Sequence, residues 1–278
     1  MAKKPEKSTA KTSVKSSLGN ADFKTAAKIA ERAVYYSTQV IHLANNRPDE
    51  EKGDPKVGGH PAACSSSAHI LGALHLVVKK PFDMMAVKPH ASPMDHAYNY
   101  MMKMFLHLDG REYTDEESKK VMTRLRSFMD PSDPNHDPAF QSYHAAWDPD
   151  AFNFFPSGSV GIPPVVSTFT ALAYKFAADH GFDVPKDVHF WSLMGDSEFR
   201  EGSLAECMPD TAEREIGSVT WIVDYNRQNL DGTRIKDEYN LHFSDSDRIE
   251  ALGTANGWKV IQVRHGLKRL AMFEKVGD

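Results

Sequence analysis

The chain has 278 residues, is 41% hydrophobic and 26% charged, and carries a formal net charge of −5. Such a composition describes a globular polypeptide of one large or two small domains, with no general pull toward nucleic acid or an anionic membrane surface. The two cysteines, Cys64 and Cys207, form neither a zinc-type cluster nor a disulfide framework, which points to a reducing, cytoplasmic setting.

Residues 1–19, "MAKKPEKSTAKTSVKSSLG", hold five lysines, one glutamate and almost no large apolar group. Such a segment buries too little surface to offset its ordering entropy, so a disordered, solubilising tail is expected, with one domain over 20–278. This stretch lacks the apolar core of a secretory signal, and no apolar run reads as long enough to span a bilayer.

Residues 21–46 predict an amphipathic helix, with Phe23, Ala27, Ile29, Val34, Val40, Ile41 and Leu43 at roughly helical spacing. The Pro/Gly/charge stretch "NRPDEEKGDPKVGGH" predicts a loop. Helices are expected over 65–80 and 112–129. Residues 130–158, punctuated by Pro131, Pro134, Pro138, Pro149 and Pro156, read as loop. "PVVSTFTALAYKFAADH" suits a buried helix over 164–180, opened by prolines and closed by Gly181. Then come a strand "VHFWSLMG", a helix over 198–214, a strand "VTWIVDYN", a helix over 245–256 and a strand "WKVIQV". This alternation predicts an α/β fold: three layers, with helices on both faces of a parallel sheet. The strands are continuous apolar runs, as expected when both faces are covered.

The stretch "LMGDSEFREG" delivers Asp196 to the tip of a strand, among Glu198, Glu201 and, a little further on, Glu206. Asn226 ends the next strand. In open parallel sheets ligands bind at the carboxyl ends of the strands, so the two side chains are candidates for one site. A carboxylate and an amide oxygen are hard ligands suited to Mg²⁺ or Ca²⁺, and Mg²⁺ commonly shares its shell with phosphate oxygens. A helix beginning near Glu198 would offer its N-terminus to an anion. The competing reading makes Asp196 a helix cap and Asn226 the start of a turn. No GxxxxGK[ST] or GxGxxG segment is present, so P-loop and dinucleotide-binding readings have no support.

"GDSEFREGS … VTWIVDYNRQNLDG" resembles the thiamine-diphosphate motif of the transketolase superfamily, with the homodimeric type of pyruvate dehydrogenase as the best match. Three further stretches agree in order: "GGHPAACSSSAHI", "KPHASP" and "FFPSGSVGIPP". The resemblance implies a thiamine-diphosphate-binding fold and a 2-oxo acid substrate, pyruvate. It implies Mg²⁺ held by Asp196, Asn226 and the Gln228 backbone carbonyl. Ser197, Glu198 and Asp224 would line the diphosphate pocket. Ser159 and Val160 would lie near the cofactor rings, and Glu201 at a subunit interface. His60 and His90 would face the reacting carbonyl as proton donors or hydrogen bonders. The other eleven histidines are unassigned, and a zinc site is not expected.

Ser197 stands in place of the motif's third Gly, Lys88 and Pro89 in place of Gln and Gly, and Ala63 in place of a cofactor-contacting Ser. Members of the family continue into a pyrimidine-binding domain, whose glutamate activates the cofactor. The chain is therefore expected to be one portion of such an enzyme, incomplete at its C-terminus. It would work as a homo-oligomer or beside a chain that carries the pyrimidine-binding domain, and be inactive without that domain. Transketolase-type transfer of two-carbon units, and a non-catalytic remnant or regulatory subunit, are the alternatives.

Overall fold

A computed structural model describes residues 22–47, 56–127, 137–153, 155–157, 159–227 and 245–263. The expected tail and Gln228 lie outside the described residues.

Seven α-helices and three strands are described: α1 Phe23–Ala44, α2 Pro61–Ala73, β1 Met84–Val87, α3 Ser92–Met101, α4 Asp115–Met122, α5 Ile162–Asp179, β2 Phe190–Gly195, α6 Gly202–Glu213, β3 Val219–Asp224 and α7 Asp245–Ala255. The strands form one parallel sheet in the order β1-β2-β3. Phe190 pairs with Val219 and Gly195 with Asp224, so β2 and β3 run level to their carboxyl ends. Side chains alternate across the sheet as the pleat requires. Met85, Val87, Trp191, Leu193 and Ile222 join the apolar cluster of α1, α2 and α3. Met84, Phe190, Met194, Val219, Trp221 and Val223 face α5 and α6. The sheet is thus the middle of three layers, as the alternating sequence pattern predicts.

Helix α1 departs from its expected face. Its buried stripe is Ala30, Ala33, Ser37, Val40, Ile41 and Ala44, whereas Phe23 and Leu43 are exposed. Small residues at three- and four-residue spacing let α2 and α3 approach closely. Helix α2 begins at Pro61, earlier than expected, and runs into a π-helical turn over Leu74–Val78. Pro61–Val78 is long and apolar enough by length and composition to cross a membrane, contrary to the expectation from sequence. In this fold its inner face packs on α1 and α3.

Three further expectations are corrected. The segment 258–263 forms no strand. Trp258 is anchored on α6, donating from Nε1 to the Met208 carbonyl at 2.8 Å, and leaves Ile261 and Val263 exposed. The third strand is instead β1, whose four residues "MMAV" hold a single β-branched side chain and so give little strand signal. Helix α3 was hidden for a different reason: every residue from Ser92 to Asn99 is buried, so its polar stripe of Ser92, Asp95, His96 and Asn99 faces the interior rather than solvent, and the helix is only ten residues long. The helices expected over 112–129 and 198–214 are shorter, as α4 and α6, the latter preceded by a 3₁₀ turn at Glu198–Arg200.

Close packing of α2 on α3 gives a direct test. A Cβ on Gly72 would lie 2.6 Å from the Tyr98 hydroxyl, which donates to the Ala68 carbonyl at 2.7 Å in the core. Gly72→Ala is expected to cost about 1–3 kcal/mol in urea unfolding. Adding Tyr98→Phe should recover part of that loss, because the hydroxyl is the nearest obstacle.

Candidate active site

The carboxyl ends of all three strands meet on one edge of the sheet. Asp196 follows β2 directly and is buried; Asn226 lies two residues beyond β3 and is half-buried. Asp196 is not a helix cap: the caps of the 3₁₀ turn and of α6 are Ser197 and Glu201, neither through its side chain. The helix N-terminus expected near Glu198 lies at Gly202, beyond an extended Glu201.

Asp224 ends β3 and is buried. Its Oδ2 meets the Lys88 ammonium at 2.7 Å and accepts hydrogen bonds from Ser66 Oγ at 2.6 Å and Ser67 Oγ at 2.9 Å. Asn226 Nδ2 donates to Ser66 Oγ at 2.9 Å. Lys88 is itself buried and continues β1, its backbone N–H donating to the Leu193 carbonyl at 2.8 Å. One carboxylate thus joins β1, β3 and the middle of α2.

Glu198 is buried beside the same lysine. Its carboxyl is pushed up to about 7, first by burial, with Lys88 opposing. The amides of Gly195 and Gly161 point toward it without closing hydrogen bonds of ordinary geometry, and both carboxyl oxygens lack a hydrogen-bond partner among the described residues. Ser197 Oγ also lacks one. Ser159 is exposed and Val160 half-buried, just before α5. Their loop is held against the Glu198–Glu201 turn: a Cβ on Gly161 would lie 2.5 Å from Glu201 Cγ.

His60 and His90 meet at the surface, ring centroids 5.1 Å apart and nearly perpendicular. His60 immediately precedes α2; the thiol of Cys64, one turn on, donates to the His90 carbonyl at 2.9 Å. The two glycines before His60 are required by the backbone. Gly58 and Gly59 have φ of +86° and +119°, and a Cβ on Gly59 would meet Ile41 Cγ2 at 2.8 Å. The "GGH" segment is therefore a tight turn that lands His60 against His90.

Sequence reasoning grouped Asp196, Asn226, Glu198, Ser197, Ser159, Val160, His60, His90 and Asp224 at one site; Asp196, Ser197 and Glu198 follow β2, Asp224 and Asn226 close β3, His90 follows β1 and lies against His60, and the Ser159–Val160 loop runs into Gly161 beside Glu201. It missed Lys88, Ser66 and Ser67 as the partners of Asp224. A lysine closing a buried strand was the available signal, since such a charge requires a counter-charge.

No family model matches the chain. It is 25% identical over 235 residues to the pyruvate dehydrogenase E1 component of Corynebacterium glutamicum, covering 80% of this chain and 22% of that protein. It is 27% identical over 218 residues to the E1 component of Mycolicibacterium smegmatis, covering 76% of this chain and 21% of that one. The resemblance to the transketolase superfamily holds. In fold, the chain is similar to the transketolase of Campylobacter jejuni, with a TM-score of 0.58 and 19% identity over 87% of this chain and 33% of that one. The transketolase of Leishmania mexicana gives 0.56 and 18%, over 90% of this chain and 34% of that one. The chain spans about a fifth of the length of the curated relatives it matches.

The histidine pair carries its own signature. Burial of one side of the ring, then the neighbouring His60, lowers the titration of His90 below its ordinary value of 6.5. In an NMR titration His90 should change state below that pH. His60→Gln should move the midpoint upward without restoring it fully, because burial is the larger cause. A midpoint at or above the ordinary value would contradict this geometry.

Proposed function

We propose that this chain is the Mg²⁺- and diphosphate-binding portion of a thiamine-diphosphate enzyme that cleaves the bond next to the carbonyl of a 2-oxo acid, pyruvate on the strength of its E1 relatives. The observation that supports this above the others is convergence. Four motifs scattered from Gly58 to Asn226 in sequence meet at the carboxyl edge of one parallel sheet, where open α/β folds bind ligands.

The residues present fit the cofactor's metal–diphosphate end. Asp196 and Asn226 offer hard oxygens from adjacent strand ends, and Gln228 would complete the set from outside the described residues. Ser197 Oγ, a donor without a hydrogen-bond partner among the described residues, suits a phosphate oxygen. Lys88 adds positive charge beside the same edge, although it is already engaged by Asp224. Thiamine diphosphate, when bound, supplies the nucleophilic carbon and electron sink for cleavage next to a carbonyl. The chain's own part is positional. Asp196 and Asn226 hold the cation, the loop at Ser159–Val160 borders the ring end, and His60 and His90 present imidazole N–H groups toward a substrate oxygen, where charge develops. Pairing with a second copy, or with a chain that carries a pyrimidine-binding domain, belongs to the same proposal.

Titration calorimetry with thiamine diphosphate and Mg²⁺ tests it. The wild-type chain should bind, weakly in the absence of a ring-binding partner, while Asp196→Ala and Asn226→Ala should each lose at least about tenfold in affinity. No binding by the wild type would favour the non-catalytic reading. Equal binding by all three would remove the metal assignment.

A further inference from the structure

Buried basic groups in this fold face carboxylates. Lys88 meets Asp224 at 2.7 Å, and His96, behind α3, meets Asp150 at 2.8 Å, with Asp148 4.0 Å from its other nitrogen. Arg126 differs. It is half-buried, makes no ion pair among the described residues, and its Nε lacks a hydrogen-bond partner among them. The proposed function does not use it.

The backbone of Arg126 is held where a side chain is disfavoured. Its φ of +57° lies in the left-handed region, which a residue with a Cβ adopts only when its surroundings impose it. Here they do. Arg47 Nη2 donates to the Leu125 carbonyl at 2.7 Å, and the Arg126 amide donates to the Phe140 carbonyl at 2.6 Å. The guanidinium is thereby laid on the "GGH" turn. Its Nη1 donates to the Val57 carbonyl at 2.5 Å, and a Cβ on Gly58 would lie 2.7 Å from that nitrogen. Asn45 fixes the same turn from the end of α1: the Gly58 amide donates to its Oδ1 at 3.0 Å, and its Nδ2 donates to the Gly58 carbonyl at 2.9 Å.

One hydrogen bond to a carbonyl does not neutralise a guanidinium, and a charge drawn from water requires a counter-charge. This charge reaches the histidine pair. Gly58 stands two residues before His60, a span of about 7 Å at most. After burial, His60 and Lys88, Arg126 is a further cause holding His90 below its ordinary titration range. Lys88 is already engaged by Asp224. From this geometry we infer that Arg126 recognises the carboxylate of the 2-oxo acid whose carbonyl oxygen faces His60 and His90. The inference rests on the function proposed above and adds the group that tells an acid from a neutral carbonyl compound. Carboxylate and carbonyl occupy adjacent carbons of a 2-oxo acid, so their partners must be neighbours, as Arg126 and the histidine pair are. The planar fork of a guanidinium matches a carboxylate with two parallel N–H groups. Arg126 binds and orients; it moves no proton.

NMR of the full chain with ring-labelled histidine reads this site without turnover. Pyruvate should shift the His60 and His90 resonances saturably. Pyruvamide, its neutral counterpart, should bind at least about tenfold more weakly. That wild-type comparison needs no variant to fold. Arg126→Gln should bring pyruvate down to the affinity of pyruvamide, whereas Arg126→Lys, which keeps the charge without the fork, should retain part of the preference. An arginine that only braced the turn would leave the preference unchanged. Titration calorimetry with thiamine diphosphate and Mg²⁺ should give Arg126→Gln the wild-type affinity, so the cofactor assignment and this one fail in separate experiments. A loss there would assign Arg126 to the diphosphate and overturn the inference. So would no saturable response to pyruvate, equal affinity for pyruvamide, or a preference that survives in Arg126→Gln. A response to dihydroxyacetone phosphate without one to pyruvate would make the ligand a phosphate ester, and overturns it as well.

Discussion

The carboxylate of Asp224 is the constraint on which the sheet edge depends. A buried ionised carboxylate is tolerated only when charge and hydrogen bonds replace the water it has lost. Here Lys88 supplies the charge, while Ser66 and Ser67 supply hydrogen bonds. Neutral hydrogen bonds contribute only about 0.5–1.5 kcal/mol each, so the lysine is the largest single partner of this side chain. Because Lys88 ends β1, Asp224 ends β3 and the serines belong to α2, satisfying one side chain fixes three elements. Pro89 and His90 follow Lys88 immediately, and His60 immediately precedes α2. The position of the histidine pair is thus a consequence of the same ion pair.

This arrangement also gives physical content to the departures from the family pattern. Lysine and proline occupy places that hold Gln and Gly in the family this chain resembles. The lysine adds a positive charge beside the proposed diphosphate site, while its pairing with Asp224 keeps the pair neutral. Ser197, in place of a glycine, brings a hydroxyl to the same edge. The local electrostatics follow from these residues, on a fold similar to that of the transketolases.

Much of this was legible in the sequence. Strands β2 and β3 were visible as apolar runs ending in Asp and Asn, and their pairing follows from right-handed parallel connections across short helices. The "GGH" turn carried its glycines openly. Strand β1 escaped because four residues of mixed character between prolines carry no period. Helix α3 escaped because it is short and buries its polar stripe, Ser92, Asp95, His96 and Asn99, along with its apolar residues. The segment 258–263 misled for the opposite reason: apolar composition suggested a strand, but Trp258 packs on α6 and the residues after it join no ladder among those described. The clustering of His96 with Asp148 and Asp150 was not legible, since more than fifty residues of chain separate the histidine from either aspartate.

A double-mutant cycle on Lys88 and Asp224 tests the central claim most directly. Unfolding free energies would be measured in denaturant for the wild type, Lys88→Met, Asp224→Asn and the pair. If the buried ion pair organises this edge, Lys88→Met alone should cost about 3–5 kcal/mol, because it strands a charge in the interior. Neutralising Asp224 in that background should return much of the loss, with a coupling energy of about 1.5 kcal/mol or more. Costs that add to within about 0.5 kcal/mol would mean that the two side chains act independently, and the account of how this edge is built would fail.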